Sequence, residues 1–255
     1  MTRPERSRHF SRVADAAVFC LPVLLCAALY GLHRFYPSVY SRLTLPEHFN
    51  PGFPVFEWLQ FGAYIAAAFL SARTSLTTRS LQRPVASTVC GFIALGCLLV
   101  ALEEISYGQH ILGLTPPPSL RERNYQGEIN LHNLKVIQPH LHRAYIAFGL
   151  LGTFGWLFRW RCTPLSLRDL LFVEARFALF FTQLAAYYYY LEFIDPSAWH
   201  HQEVHEAIAA CGAVLLCRAR YRRARPGSSG RGAEAKPLRR SIRSGTMPAY
   251  GRQNI

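Results

Sequence analysis

Thr88–Ser106 reads TVCGFIALGCLLVALEEIS, an apolar run about as long as one bilayer crossing by an α-helix, closed by two adjacent glutamates. The apolar part sets the fold class, and the acidic end points to a site. Four more blocks, Val13–Leu32, Pro54–Ala72, Ala144–Trp160 and Leu170–Tyr189, approach the roughly 20 residues of a spanning helix. A sixth, Trp199–Cys217, is cleanly apolar only over Ala207–Cys217. It spans only if its polar first turns sit among the headgroups or face the bundle. Of the 255 residues 51% are apolar, in long blocks rather than at amphipathic spacing, so the chain reads as a multi-pass membrane protein with room for one bundle. The expected fold is an all-α polytopic membrane helix bundle of about six transmembrane helices, one domain over 1–217.

Basic residues set the orientation. Most of the 28 Lys and Arg fall in the N-terminal tail, the 73–86 and 159–169 loops and the C-terminal tail, which places both termini in the cytoplasm. The first span follows a basic start without a convincing small-residue cleavage site before Tyr30, so it is expected to remain as a signal anchor. All seven cysteines then lie in spans or on the inner side, and neither a disulfide framework nor a thiolate zinc site is expected at the outer face. The net charge of +13 comes mostly from 218–255, a tail expected to be disordered and held against anionic lipid headgroups rather than nucleic acid. Lysine occurs only at Lys135 and Lys236; this preference for arginine suggests a GC-rich bacterial genome, and the inner (plasma) membrane as the location.

The ionisable groups beside the apolar blocks gather at the opposite, outer end. Glu57, Glu103, Glu104, Glu128, Glu192, Glu203 and Glu206 are there, with every histidine except His9. Each charge near the hydrocarbon costs roughly 2.5–3.5 kcal/mol on insertion scales, so such gathering marks a site. If the third helix continues through Gly108, then Glu103, Ser106, Tyr107 and His110 lie within about 100° of arc, and one face carries acid, hydroxyl and imidazole. Glu104 points about 100° away and needs another partner, such as Arg143 or a histidine of a different segment.

The loop that follows, Ile111–Leu141, is too patterned to be filler. Pro116, Pro117 and Pro118 stop any helix; Ser119 with Glu122 has the spacing of a capping box; Gly127 ends the short helix so started. Glu128, His132 and Lys135 then share one face of an expected amphipathic helix, and the whole reads as a structured lid or re-entrant segment between helices 3 and 4. In the last span His201 and His205, four apart, can reach one metal, whereas Glu203, Glu206 and His200 fall on the other side. Tyr187–Tyr190 and Trp199 suit an outer aromatic belt, as Trp156 and Trp160 suit an inner one. Glu174 and Arg176, two apart, should not face each other and should pair with neighbouring helices.

Candidate catalytic residues are therefore Glu103, Glu104, Ser106 and Glu128, and candidate metal ligands are His110, His132, His201 and His205, with zinc as the cofactor they suit. Glu57, Gln109, Asn124, Gln126, Asn130 and Asn133 are the candidates for substrate binding. Whether glutamates and histidines form one cluster or two is open at this point.

EEISYGQ at Glu103–Gln109 followed by QGEINLHN at Gln126–Asn133 resembles an uncharacterised family of bacterial multi-pass inner-membrane proteins, whose signature is EEISWGQ and then QGE-x-NLHN. The likeness extends to the acidic residue opening the preceding span, Glu57, and to the acidic start of the last one, Glu203 and Glu206. It implies a site without naming a reaction. Ser106-x-x-x-His110 and His201-x-x-x-His205 also look like two motifs of the CREST hydrolases, the alkaline ceramidase and adiponectin-receptor superfamily. That resemblance implies a zinc on His110, His201 and His205 with Ser106 as auxiliary hydroxyl. The chain departs from that pattern in having six expected spans rather than seven, no aspartate a turn or two into the next span, and histidines at the outer end.

Three functions fit. The first is a hydrolase or transferase acting on a lipid or lipid-linked substrate at the outer leaflet, with carboxylates as general acid and base. The second is a non-catalytic assembly or scaffold protein. The third is a proton-coupled transporter, against which stand charges confined to one surface and no visible inverted repeat.

Overall fold

The computed structural model describes residues 3–44, 55–159 and 166–225. Expectations on Pro54, Trp160, Cys162 and the tail beyond 225 lie outside the described residues. The described residues form helices and turns: α1 (Arg3–Phe35), α2 (Pro37–Thr44), α3 (Val55–Ser80), α4 (Pro84–Glu104), α5 (Gln109–Leu112), α6 (Pro118–Arg123), α7 (Gln138–Phe154), α8 (Leu167–Leu171), α9 (Ala178–Phe193) and α10 (Gln202–Ala224). Among the described residues four stretches are long and apolar enough to cross a membrane: Arg12–Phe35, Val55–Ser80, Pro84–Glu104 and Leu167–Phe193. Only 6% of the most apolar window of the first, and 17% of those of the second and third, is buried within the protein. Apolar side chains therefore face outward, the inverse of a soluble fold, and mark a membrane protein.

The helices pack side by side, most pairs antiparallel and one parallel. α3 and α4 form an antiparallel pair in which the Ser75 hydroxyl donates to the Ser87 carbonyl at 2.7 Å. α10 runs parallel to α3, as contacts from Gln60–Glu203 to Ser71–Cys217 and Arg73–Tyr221 show. α9 lies antiparallel to both α7 and α10, and small residues allow the approach. A Cβ at Gly149 would stand 2.7 Å from that of Ala185, and one at Gly212 would stand 2.6 Å from that of Phe180. Buried Phe177, Phe180, Phe181 and Ile208 fill the space between α9, α10 and α1. One end of the bundle thus collects the ends of α1, α4 and α9 with the starts of α3, α7 and α10.

Two expectations about the opposite end change. The fifth apolar block is not one helix: the backbone is extended at Phe172 and Glu174, and a 3-10 turn, Ala175–Phe177, restarts it. The break brings Glu174 and Arg176 together at 3.0 Å, a pairing that helical spacing would forbid, and Arg176 also reaches Asp15 at 2.7 Å. The basic tail does not begin at 218, since α10 continues to Ala224. Arg220 is buried there, and Arg223 reaches back to Asp169 at 2.9 Å and to Glu174.

Candidate functional site

α4 stops at Glu104 because the chain turns left-handed there. Ser106, Tyr107 and Gly108 have φ of 46°, 55° and 78°. Only glycine adopts this region freely, so Ser106 and Tyr107 cost of order 1–2 kcal/mol each and need contacts that hold them. Those contacts are present: the Ser106 hydroxyl donates to Glu128 at 2.5 Å and accepts from the Asn130 amide at 3.0 Å, while the Tyr107 hydroxyl donates to Glu103. Bonding to that carboxylate, then burial, pushes the Tyr107 phenol up to about 12. The helix expected to continue through Gly108 is thus replaced by a sharp turn and the single helical turn of α5.

α6 exists, yet Pro117 rather than Ser119 precedes it, and Asn124 rather than Gly127 ends it. Beyond it the amphipathic helix expected around Glu128–Lys135 is absent. Asn124 and Leu134 instead face each other as an antiparallel bridge, with Tyr125 N–H to Asn133 O and Lys135 N–H to Arg123 O both at 2.9 Å. Side-chain amides explain the difference, since Asn offers the backbone alternatives to the helix. Asn124 Oδ1 accepts from Gln126 N–H at 2.8 Å, and its Nδ2 donates to the Asn130 carbonyl at 3.0 Å and to Asn130 Oδ1 at 2.8 Å. Asn133 and Gln126 bond through their side chains.

Residues of α4 and α5 pin this loop from below. Glu103 Oε2 accepts from Leu131 N–H at 2.7 Å, His132 N–H at 3.0 Å and the His132 ring at 3.2 Å. Gln109 Oε1 accepts from Ile129 N–H at 2.6 Å. Glu128, itself buried, holds Asn130 at 2.9 Å and the His110 ring at 3.1 Å as well as Ser106. Glu103, Ser106, Gln109, His110, Asn124, Glu128, Asn130 and His132 thus all act in ordering one loop.

Glu104, offset from Glu103 by one helical step, faces α10 instead. Its carboxylate, with those of Glu203 and Glu206, forms a set whose ligand atoms lie within 4.8 Å of one another. Around them the Gln60 amide donates to Glu203 at 2.7 Å, Gln202 donates to Glu206 at 3.2 Å, and the Tyr188 hydroxyl donates to Glu206. The expected partner Arg143 is not there; it pairs with Glu192 at 3.4 Å, beside His142 at 3.2 Å. Above Glu203 lies a cavity of about 650 Å3, walled by Tyr125, Gln126 and Asn133 of the loop, His142 of α7 and Glu192 of α9, with Trp199 and His200 at the side.

Three histidines form a separate group. His33, His200 and His201 offer nitrogens within 4.8 Å of one another. His201 Nδ1 meets the Tyr40 hydroxyl at 2.5 Å, and burial pushes that phenol up to about 12. His200 was expected across the helix from His201, but residues Pro196–His201 form a 3-10 turn that brings the two ring centroids to 3.9 Å, the planes tilted by 51°. His205 lines the same cavity of about 230 Å3 as His33 and His201, yet its Nδ1 bonds to Gln183 and its ring stacks on Tyr187. Neither His110, His132 nor His205 belongs to a set of three with converging ligand atoms among the described residues, so His110, His201 and His205 do not meet at one point. The residues do not fit the three-histidine zinc that the CREST resemblance implies.

Gln60, Tyr188, Gln202, His33, Tyr40 and His142 join these sites without having been singled out from sequence. A signal existed for Gln60, an amide one turn beyond Glu57 in an apolar span. Tyr188 was hidden in the Tyr187–Tyr190 run: Tyr189 and Tyr190 are exposed as a belt requires, but Tyr187 and Tyr188 turn inward and are buried. Glu57 opens α3 and is half-buried.

Fold and site together define an all-helical membrane protein with a carboxylate-rich polar site at one end of its bundle. Comparison of the chain with protein-family models, with curated proteins and with solved structures returned no match.

Proposed function

We propose that the protein is a multi-pass inner-membrane protein of about six spans, with α7 and α10 completing the four most apolar stretches, both chain ends in the cytoplasm and the Glu104 end outside. The cavity above Glu203 is then the substrate site of a hydrolase or transferase acting on a lipid or lipid-linked substrate. α7 has 17 residues and is prolonged by the Gly155–Arg159 turn, and α10 has 23. Each therefore reaches about the length needed, and the polar start of α10 faces the bundle rather than lipid. The sidedness rests on the distribution of arginine and lysine.

The observation that carries the enzymatic reading is the cavity itself: about 650 Å3, within the range of small-molecule sites, and reaching a carboxylate that stands in a low-dielectric bundle. Glu203, which lines the cavity, is the candidate general base for an attacking hydroxyl or water. Gln126, Asn133 and His142 can bind a polar headgroup, while Leu191, Pro139 and Trp199 offer apolar wall for a chain. Glu103, Glu128 and the asparagines act as positioning residues that hold the loop over the cavity.

Protein reconstituted in nanodiscs would be given bacterial polar lipids and polyprenyl-phosphate-linked sugars, with products followed by mass spectrometry. Wild type should convert one class, and Glu203→Gln should lower turnover by at least about a hundredfold with an unchanged melting temperature. Wild type that changes none of them overturns the enzymatic reading and leaves the loop as a docking surface. Sidedness is tested separately with Val136→Cys, at an exposed loop position: an impermeant maleimide should label it on intact cells well above the wild-type background.

A further inference from the structure

The Glu104, Glu203 and Glu206 set presents an electrostatic problem that the described side chains do not solve. Glu104 is the last residue of α4, where unpaired carbonyls already concentrate negative potential, and Glu203 and Glu206 stand one turn apart on a single face of α10. Among the described residues no Lys or Arg forms an ion pair with any of the three. Three carboxylates within 4.8 Å of one another cannot all stay ionised in a bundle interior unless a cation or shared protons neutralise them.

A second observation favours the cation. Gln60 is fully buried, at 0% exposure; its Nε2 is bonded to Glu203, and its Oε1 has no hydrogen-bond partner. A buried amide oxygen without a partner costs about 1–3 kcal/mol, and the amide's bond to Glu203 keeps that oxygen beside the acidic set. It is an oxygen close to the set with no partner of its own. The remaining hydrogen bonds behave as an outer shell: Tyr188 and Gln202 both donate to Oε1 of Glu206, and Gln60 donates to Oε2 of Glu203. Each of those carboxylates is thereby oriented while its other oxygen is left for a ligand.

We propose that Glu104, Glu203 and Glu206 bind a divalent metal cation, with the Gln60 amide oxygen as a fourth ligand. The donor set is oxygen throughout, so the cation is of the hard class, magnesium, manganese or calcium, rather than zinc on imidazole. Glu203 also lines the large cavity, so the cation would stand at its floor, where a phosphate or carbonyl oxygen of a bound molecule could complete its shell. The site coincides with the proposed substrate site, but the inference does not depend on turnover.

The full-length protein, purified in detergent, stripped of metal and returned to chelator-free buffer, would be titrated with Mn2+ and followed by electron paramagnetic resonance, with Mg2+ and Ca2+ as competitors. Wild type should bind about one Mn2+ per chain, and Glu104→Gln or Glu206→Gln should each weaken binding by at least about tenfold. His201→Ala/His205→Ala should bind as wild type does. If a glutamine variant does not fold, Gln60→Leu replaces it, with an expected loss of several-fold. Folded wild type that takes up none of the three cations overturns the proposal in favour of shared protons, as does Mn2+ binding that survives every substitution in the set. Cation binding without lipid conversion would stand against the enzyme proposal alone, and conversion without cation against this one alone.

Discussion

At the Arg223 end of the bundle buried carboxylates meet guanidinium groups; at the Glu104 end they meet one another. Asp169 is 3% exposed and lies 2.9 Å from Arg223, whose other nitrogen reaches Glu174, while Arg176 ties Glu174 to Asp15. Charge there is closed by pairs within the chain, which fasten α1, α8 and α10 to the turn that leads into α9. Among the described residues the side chains bonded to Glu203 and Glu206 are amides and a phenol, and Arg143, at that same end, pairs with Glu192 instead. A structural ion network balances itself, whereas a site leaves charge open for something that binds or a proton that moves.

The sharpest way to break this contrast is to remove the balancing charge. Arg223→Met leaves Asp169 buried without that cation, and should lower stability by about 2–3 kcal/mol in thermal unfolding in detergent, less than a fully buried pair because Arg223 is partly exposed. A loss below about 0.5 kcal/mol would mean that the two ends do not differ in kind. Within the Glu104 end, Glu103→Gln weakens the charged acceptor of two backbone amides and should speed hydrogen exchange at Leu131 and His132 by about tenfold, with little change at α9. Equal acceleration throughout would show that the loop is not a separate unit. The smallest effect has the opposite sign: in metal-stripped protein Glu104→Gln relieves like-charge repulsion and should leave stability unchanged or raise it by up to about 1 kcal/mol. A clear loss in the stripped protein would show that Glu104 is a structural acid like Asp169.

The helical blocks and the ordered loop could be read from the sequence because both depend on local properties, run length and turn chemistry. The divergence of Glu103 and Glu104 was legible too, since adjacent helical residues differ by about 100° wherever the helix lies. Periodicity failed where side chains compete with the backbone. Asn124 and Asn130 close the loop without a helix, and Ser106 and Tyr107 accept left-handed geometry because Glu128 and Glu103 hold them there. It also failed at Glu174 and Arg176, where a broken helix cancels the angular rule, and in the tyrosine run, where only packing decides which rings face lipid.

By itself the sequence determined a helical membrane protein whose ionisable groups crowd one end, because hydrocarbon burial and charge cost act on any chain with those runs. Only the tertiary structure decided which of them meet. Glu104 joins Glu203 and Glu206 from a helix a hundred residues away, Gln60 turns its amide toward them from a third, and His200 and His201 collect around His33 and Tyr40 instead. Such meetings follow from how helices pack and register against one another, and no spacing along a single helix encodes them.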